Sequence, residues 1–298
     1  MKKTLIALAA VAVSSAAMAQ VTISGSINAR YQNSNTTGAA KVNGFSFSDS
    51  EIVFSASEDL GGGLKASASM SIENLSDGAT GAGSGAILSL SGGFGSVTFS
   101  NKDGSDYLAV NEVTTSGFTN SNADDRVTYT SPNFSGVTVS VTLGDGTNGA
   151  AGTQAGKSAT NESRIVEVNY AAGPLTANVG MLSVDKNTHT TTDGGTRFKV
   201  GYNFGVAAVT YGAANIKNSA TSKTTETAIT VSAPLGPVTA SYAMATSKTT
   251  GAAKLDGSNL TVAYALSKRT SLSFNRIAYE TATVSNAYKN QFNVSHSF

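Results

Sequence analysis

The sequence predicts an all-β fold, a transmembrane antiparallel β-barrel of 16 strands. Three observations predict it: a two-residue alternation of apolar and polar side chains, a shortage of charge, and abundant glycine. Of 298 residues 13% are charged and 40% hydrophobic, and the chain holds 31 Gly, 4 Pro and neither Cys nor Trp. An average soluble domain carries about 25% charged residues. A deficit this large, without Pro-rich or low-complexity bias, excludes ordinary cytosolic globules and charged disorder alike. Leu, Glu, Lys and Arg, which build helices, are scarce, whereas Val, Thr, Ser, Asn and Gly suit strands and turns.

The first element is not a strand. Lys2 and Lys3 form a positive start, Leu5 to Val13 an apolar run, and Ala17-Met18-Ala19 a small-x-small cleavage site. The run is too short to cross a bilayer, so residues 1–19 read as a secretory signal peptide and residues 20–298 as the mature domain. Without Lys2 and Lys3 the 20 basic residues fall just below the 19 acidic ones, and no nucleic-acid partner is indicated. Absence of Cys excludes a disulfide framework and a thiolate metal site, and suits passage through an oxidising periplasm.

From Val21 one parity reads Val21, Ile23, Gly25, Ile27, Ala29, Tyr31 and the other Thr22, Ser24, Ser26, Asn28, Arg30. Period two is a strand with one greasy and one wet face. The pattern recurs at Val137, Val139, Val141, Leu143, again at Leu260, Val262, Tyr264, Leu266, and closes the chain at Tyr288, Phe292, Val294, Phe298. Short turns built from Gly, Pro, Asn and Ser divide these runs at Glu58–Gly63, Gly92–Gly95, Pro132–Gly136, Ala171–Pro174, Asn203–Gly205, Pro234–Pro237 and Ser267–Thr270. Longer polar stretches alternate with them near residues 33–44, 75–83, 102–125, 146–162, 185–195, 218–222, 248–257 and 281–286. Seven turns and eight loops make fifteen connections, hence sixteen strands with both termini on one side.

No later segment has the ~20 consecutive apolar residues of a membrane-spanning helix, so a membrane would be crossed by strands. A soluble β-sandwich of this length would cover its outer faces with charge that the chain lacks. The aliphatic and aromatic parity therefore faces lipid and the Ser, Thr, Asn and charged parity faces water. Two stretches break phase: Phe45 and Phe47 against Ile52 and Phe54, and Leu272 and Phe274 against Ile277 and Tyr279, each predicting a bulge or bend.

Five segments, in order, resemble the general diffusion porins of Gram-negative outer membranes, particularly the β-proteobacterial group. They are Ser57–Ala66 (SEDLGGGLKA), Leu90–Thr98 (LSGGFGSVT), Val127–Gly136 (VTYTSPNFSG), Leu266–Leu272 (LSKRTSL) and Val294–Phe298 (VSHSF). The resemblance implies a passive outer-membrane channel for small hydrophilic solutes and ions. It implies a homotrimer of water-filled barrels, each narrowed by an inward-folded third loop, and Phe298 as the aromatic signal read by the outer-membrane assembly machinery. The runner-up functions are a substrate-preferring channel and a loop-based surface adhesin, suggested by the Thr-, Asn- and Gly-rich loops at 146–162 and 185–195.

Catalytic signals are weak. The chain has two His, His189 and His296, and nothing in sequence places a Ser and an acid beside either, so no enzyme is expected. The glycine runs at 61–63 and 81–85 lack the Lys-Ser/Thr of a phosphate loop, and no cofactor is expected. Asn101 to Asp106 has oxygen ligands at calcium-like spacing but lacks the closing Glu.

The informative residues are charges on the wet parity. Arg30, Lys65, Arg126, Arg197, Lys199 and Lys289 read as lumen-facing, as do Glu51, Glu73, Glu167 and Glu226. The longest loop, 102–125, corresponds in order to the family's constriction loop and carries Lys102 against Asp103, Asp106, Glu112, Asp124 and Asp125. An acidic loop facing wall bases such as Arg30, Lys65 and Arg126 would set a transverse field that orients polar solutes. Relatives usually carry Arg in the second and fourth strands; counting back from the Glu-Asp-Leu-Gly-Gly-Gly and Leu-Ser-Gly-Gly-Phe-Gly turns, this chain has Glu51 and Ser84 there. The expectation is weak cation selectivity.

Overall fold

The computed structural model describes residues 20–35, 41–73, 82–101, 124–146, 162–184, 193–280 and 286–298. Its strands are β1 (Gln20–Asn35), β2 (Val42–Phe47), β3 (Glu51–Gly61), β4 (Leu64–Glu73), β5 (Ala82–Gly92), β6 (Gly95–Ser100), β7 (Asp124–Thr130), β8 (Val137–Gly146) and β9 (Glu162–Ala172). They continue as β10 (Leu175–Val184), β11 (Gly194–Asn203), β12 (Ala208–Lys217), β13 (Lys223–Leu235), β14 (Val238–Thr249), β15 (Lys254–Ala265), β16 (Thr270–Tyr279) and β17 (Ala287–Ser297). All belong to one antiparallel sheet in which β17 pairs with β1, so the sheet closes on itself. Segments β2 and β3 lie end to end along β1 and act as one strand, which makes a barrel of sixteen. The seven short turns and eight longer connections fall where the Gly, Pro, Asn and Ser clusters put them. Closure pairs the first strand with the last, as a sheet that crosses the hydrocarbon of a membrane requires.

The register fixes which residues share a face. Tyr31 pairs with Phe45 and Phe292, Val168 with Val139 and Val179, and Tyr242 with Val231 and Leu260, all on the outer surface. Val21, Ile27, Val139, Val262 and Phe292 are all exposed there, as lipid-facing residues of a lone barrel must be.

The phase break at Phe45–Phe54 is a bulge. Ala29 pairs with Phe47 while Ser26 pairs with Glu51, so three residues of the second strand face two of β1. Asp49, at φ 53°, takes up the extra residue. The bulge is stitched to β1: Asn28 N donates to Ser50 Oγ at 3.1 Å, and Ser48 N to Asn28 O at 3.0 Å. Phe45, Phe47, Ile52 and Phe54 thereby reach the same outer face.

The second break is not a bulge. β16 keeps unbroken register with β15 and β17 from Thr270 to Tyr279. Ile277 and Tyr279 instead lie on the inner face, buried in an apolar patch of the lumen wall. A bulge that sequence alternation did not signal occurs between β4 and β5, where Gly85, at φ 65°, is skipped and Ser84 pairs with Ser71.

The barrel seam is tight. Gly25 and Phe298 exchange backbone hydrogen bonds of 3.1 and 3.0 Å. A Cβ at Gly25 would meet Glu51 O at 2.4 Å and the Phe298 ring at 2.7 Å, so only glycine fits where the terminal ring and the bulged strand converge.

Candidate pore lining

The inner face is built from small hydroxyl and amide residues in registered rows. Ser55 faces Ser69, and Ser57 faces Ser67. Ser89 bonds Thr98 at 2.9 Å and Thr128 bonds Thr142 at 2.9 Å. Such pairs hold neighbouring strands while leaving donors and acceptors for water.

Charges punctuate this surface. Arg30 is clamped on both sides, donating from Nε to Asn293 Oδ1 at 2.8 Å and from Nη2 to Asp49 Oδ2 at 2.9 Å. Its counter-charge therefore comes from the bulge, not from the wall. Glu51 faces Ser26 at the start of β3, and Glu73 ends β4, each one step past the Ile52–Ile72 pair, so two carboxylates stand on neighbouring strands. Ser71 Oγ donates to Glu73 Oε1 at 2.9 Å. Lys65 pairs with Asp59 beside the β3–β4 turn, at the mouth that also holds the chain ends. Arg126 lies on β7 between Ser100 and Gly144.

One ion pair of the wall spans three strands. Glu167, Gly180 and Arg197 are in register on β9, β10 and β11, and Arg197 Nη2 donates to Glu167 Oε1 at 2.6 Å. The arginine stem crosses the intervening strand because Gly180 has no side chain; a Cβ there would sit 2.9 Å from Arg197 Nε. Asn178 Nδ2 also donates to Glu167, at 3.3 Å, and Lys199 pairs in register with Asn178. Glu226 continues the row beyond Ala214 and is 1% exposed, with Ser247 Oγ donating to it at 3.5 Å. Lys289 faces Ile277, its ammonium 5.9 Å from the centre of the Tyr279 ring.

One sector of the lumen wall is apolar. Ile165, Leu182, Ile216, Ala245, Ile277 and Tyr279 lie on the inner parity of β9–β16, and all are buried. Small inner residues, among them Ala214, Ala228 and Ala287, complete it.

Lys102, Asp103, Asp106 and Glu112 lie outside the described residues, as does segment 102–123 that contains them and most of the loops at 146–162 and 185–195. Asp124 and Asp125 open β7, where their backbone pairs with Gly146 and Asp145. The structure thus brings Glu51 and Glu73 together, gives Arg30 a partner, and sets Lys65 apart at the mouth. Sequence reasoning missed Asp49 and Asn293. Asp49 had a usable signal, since an Asp at the expected bulge favours positive φ; Asn293 had none, being 263 residues from Arg30.

Other chemistry is thin among the described residues. His296 Nδ1 shares a 2.9 Å hydrogen bond with Thr270 Oγ1, its exposed register partner across β16 and β17. No group of three His, Cys, Asp or Glu side chains there could hold a metal ion. Gly61, Gly62 and Gly63, all at positive φ, make a tight turn. Among the described residues no helix is long and apolar enough to cross a membrane.

The sequence profile of the family described as Gram-negative porin matches residues 4–285. The chain belongs to the Gram-negative porin family. The fold of this porin is similar to an anion-selective porin from Comamonas acidovorans, at 20% identity and a TM-score of 0.72, covering 94% of this chain and all of the other. It is also similar to a mutant porin of Rh. blastica, at 14% identity and a TM-score of 0.72 with the same coverage. A loop-deleted OmpT of Vibrio cholerae matches at 17% identity and a TM-score of 0.65, covering 94% of this chain and 99% of that one. No curated protein sequence matches the porin closely enough to count as a relative. The porin is a passive channel of the Gram-negative outer membrane, crossed by strands with a wet interior.

Proposed function

We propose that this porin is a general diffusion channel with weak cation preference, working without turnover or cofactor. It acts as a homotrimer exported after loss of residues 1–19. The observation that carries the selectivity is the distribution of charge on the inner face. Arg30 is held by Asp49 and Arg197 by Glu167, whereas Glu51 and Glu73 stand side by side. Two of the wall bases are thus offset locally, and the neighbouring carboxylates of Glu51 and Glu73 draw cations.

The third loop, residues 102–123, folds into the lumen in this reading, over the apolar sector of the wall. Support comes from the burial of that sector: apolar side chains facing a water-filled pore are not otherwise 1–9% exposed. The loop's Asp103, Asp106 and Glu112 would then add to the negative side of the constriction, opposite Arg126.

Planar-bilayer recording tests the reading. Ohmic steps arriving in threes are expected, with a zero-current potential in a KCl gradient of the sign for cations, and Glu51→Arg moves it towards anions. An anion-selective parent, or a variant that leaves the potential unmoved, refutes the assignment. Block by micromolar amounts of a single solute would show a substrate-preferring channel instead.

A further inference from the structure

The hydrogen-bonding character of the inner wall changes around the barrel. Among the described residues the inward positions of β2–β8 hold no Asn or Gln, and hydroxyl pairs such as Ser55–Ser69 and Thr128–Thr142 line that arc. Side-chain amides gather instead on β15, β16, β17 and β1, where Asn259, Asn275, Gln291, Asn293, Asn28 and Gln32 share the inward parity.

Four of these strands carry one continuous row. Gln32, Gln291, Asn275 and Thr261 are successive register partners. Gln291 Nε2 donates to Gln32 Oε1 at 2.8 Å, and Thr261 Oγ1 donates to Asn275 Oδ1 at 2.8 Å. Strands lie about 4.8 Å apart, so the row spans roughly 14 Å. It is perpendicular to strands tilted about 35–45° and therefore runs obliquely along the pore. One inward step nearer the chain ends, Arg30, Asn293 and Ser273 form a second row. Gln291 is 8% exposed, whereas Gln32, Asn275 and Thr261 are half-buried, so the row is anchored in the wall and still meets the lumen.

The bonds within the island use the amide oxygens and leave amide hydrogens. Asn293 Oδ1 accepts from Arg30 Nε at 2.8 Å and Asn28 Oδ1 from Ser295 Oγ, as Gln32 and Asn275 accept within the row. Asn275 Nδ2 and Asn259 Nδ2 donate to no group among the described residues. Each amide nitrogen has two hydrogens, so Gln291 and Asn293 keep one each after bonding Gln32 and Ser273. Uncharged donors at strand spacing suit a solute with many neutral oxygens.

The surroundings disfavour other solutes. Arg30 already donates to Asp49 Oδ2 at 2.9 Å, and Glu51 stands opposite Ser26, one inward step from Asn28, so a carboxylate meets repulsion. Lys289, one step beyond Gln291, holds its ammonium 5.9 Å from the centre of the Tyr279 ring. Tyr279 is the one inward ring of the described strands and is buried, so a flat aromatic solute finds no face to stack on.

We propose that this amide row is a weak subsite for neutral polyhydroxylated solutes of di- or trisaccharide length, whose hydroxyl and ring oxygens accept from successive amides. The subsite rests on the channel reading above and adds a solute class to it. Each net hydrogen bond exchanged against water is small, so occupancy develops at millimolar concentration and the solute still leaves.

The test records the barrel, as isolated from outer membranes, in planar bilayers in KCl. The probes are maltotriose, an ethylene glycol oligomer of equal length, and maltotrionate, the carboxylate made by oxidising the sugar's reducing end. Maltotriose lowers the open-channel current and adds current noise; the glycol acts more weakly, and so does the acid. Replacing Gln32, Gln291 and Asn275 together by Ser gives the row the hydroxyl character of the opposite arc. The half-effect concentration of maltotriose then rises about three-fold per amide, roughly thirty-fold in all. KCl conductance no lower than the parent's shows that the variant is folded and open. Asn259→Ala, whose amide bonds no other strand, raises the half-effect concentration about three-fold and carries the test where the triple variant opens no channels. Ser55→Ala, on the hydroxyl arc, leaves it unchanged. A parent that conducts nothing refutes the channel reading itself. A conducting parent on which the sugar acts no more than the glycol, tighter binding of the acid, or a half-effect concentration unmoved by the amide substitutions overturns the subsite.

Discussion

Replacing Gly25 by Ala loads the barrel at its seam. The new Cβ would stand 2.4 Å from the backbone oxygen of Glu51 and 2.7 Å from Phe298 Cζ, where real contacts essentially never fall below 3.0 Å. The ring can swing away; the carbonyl, fixed in a sheet, cannot. Relief therefore comes from moving β1 off β3 or β17, which strains the hydrogen bonds of 3.1 and 3.0 Å that Gly25 and Phe298 exchange. Each net backbone bond contributes about 1 kcal/mol, and forced displacement in a packed site adds 1–3, so a loss of about 2–4 kcal/mol is expected. At about 2–4 °C per kcal/mol for a chain of this size, the heat-modification midpoint on a denaturing gel falls by roughly 5–15 °C. Because the carbonyl is the obstacle, adding Phe298→Ala does not restore stability. A Gly25→Ala barrel that melts with the parent, or a double variant that regains the parent midpoint, refutes the seam as drawn.

Other outcomes follow from parity and closure. Val141, central among the outward residues of β8, should lose about 2–4 kcal/mol of barrel stability as Arg if it lies near the bilayer midplane, measured by refolding into vesicles, whereas the same change at inward Thr142 should cost little. Phe298→Glu should reduce outer-membrane insertion in cells more than refolding in detergent; equal insertion would mean that the ring serves packing against Gly25 alone.

The barrel was legible because membrane strands repeat one rule, and the rule failed where its premise failed. Phe45, Phe47, Ile52 and Phe54 all face outward, so their phase slip in sequence marked a real extra residue. Ile277 and Tyr279 gave the same signal without a bulge, since the lumen wall there is apolar and alternation cannot tell a greasy inner face from a slipped outer one. Gly85 was a readable bulge residue, a glycine inside a strand, left unread among its neighbouring glycines. The inward charges followed from parity alone. Their pairing did not: Arg197 finds Glu167 only through the register of three strands and the missing side chain of Gly180.

The bulge that supplies Asp49 has an evolutionary side. Removing its extra residue would turn Phe45 and Phe47 into the pore, so a change of chain length there is barred by lipid on the far side of the wall. Substitution at Asp49 meets no such barrier, because its carboxylate is exposed and its backbone suits Asn equally. A single-codon change would unmask Arg30 and draw anions without altering any strand. Among lineages carrying this barrel, ionic preference is then free to drift at one bulge position while the frame around it stays fixed.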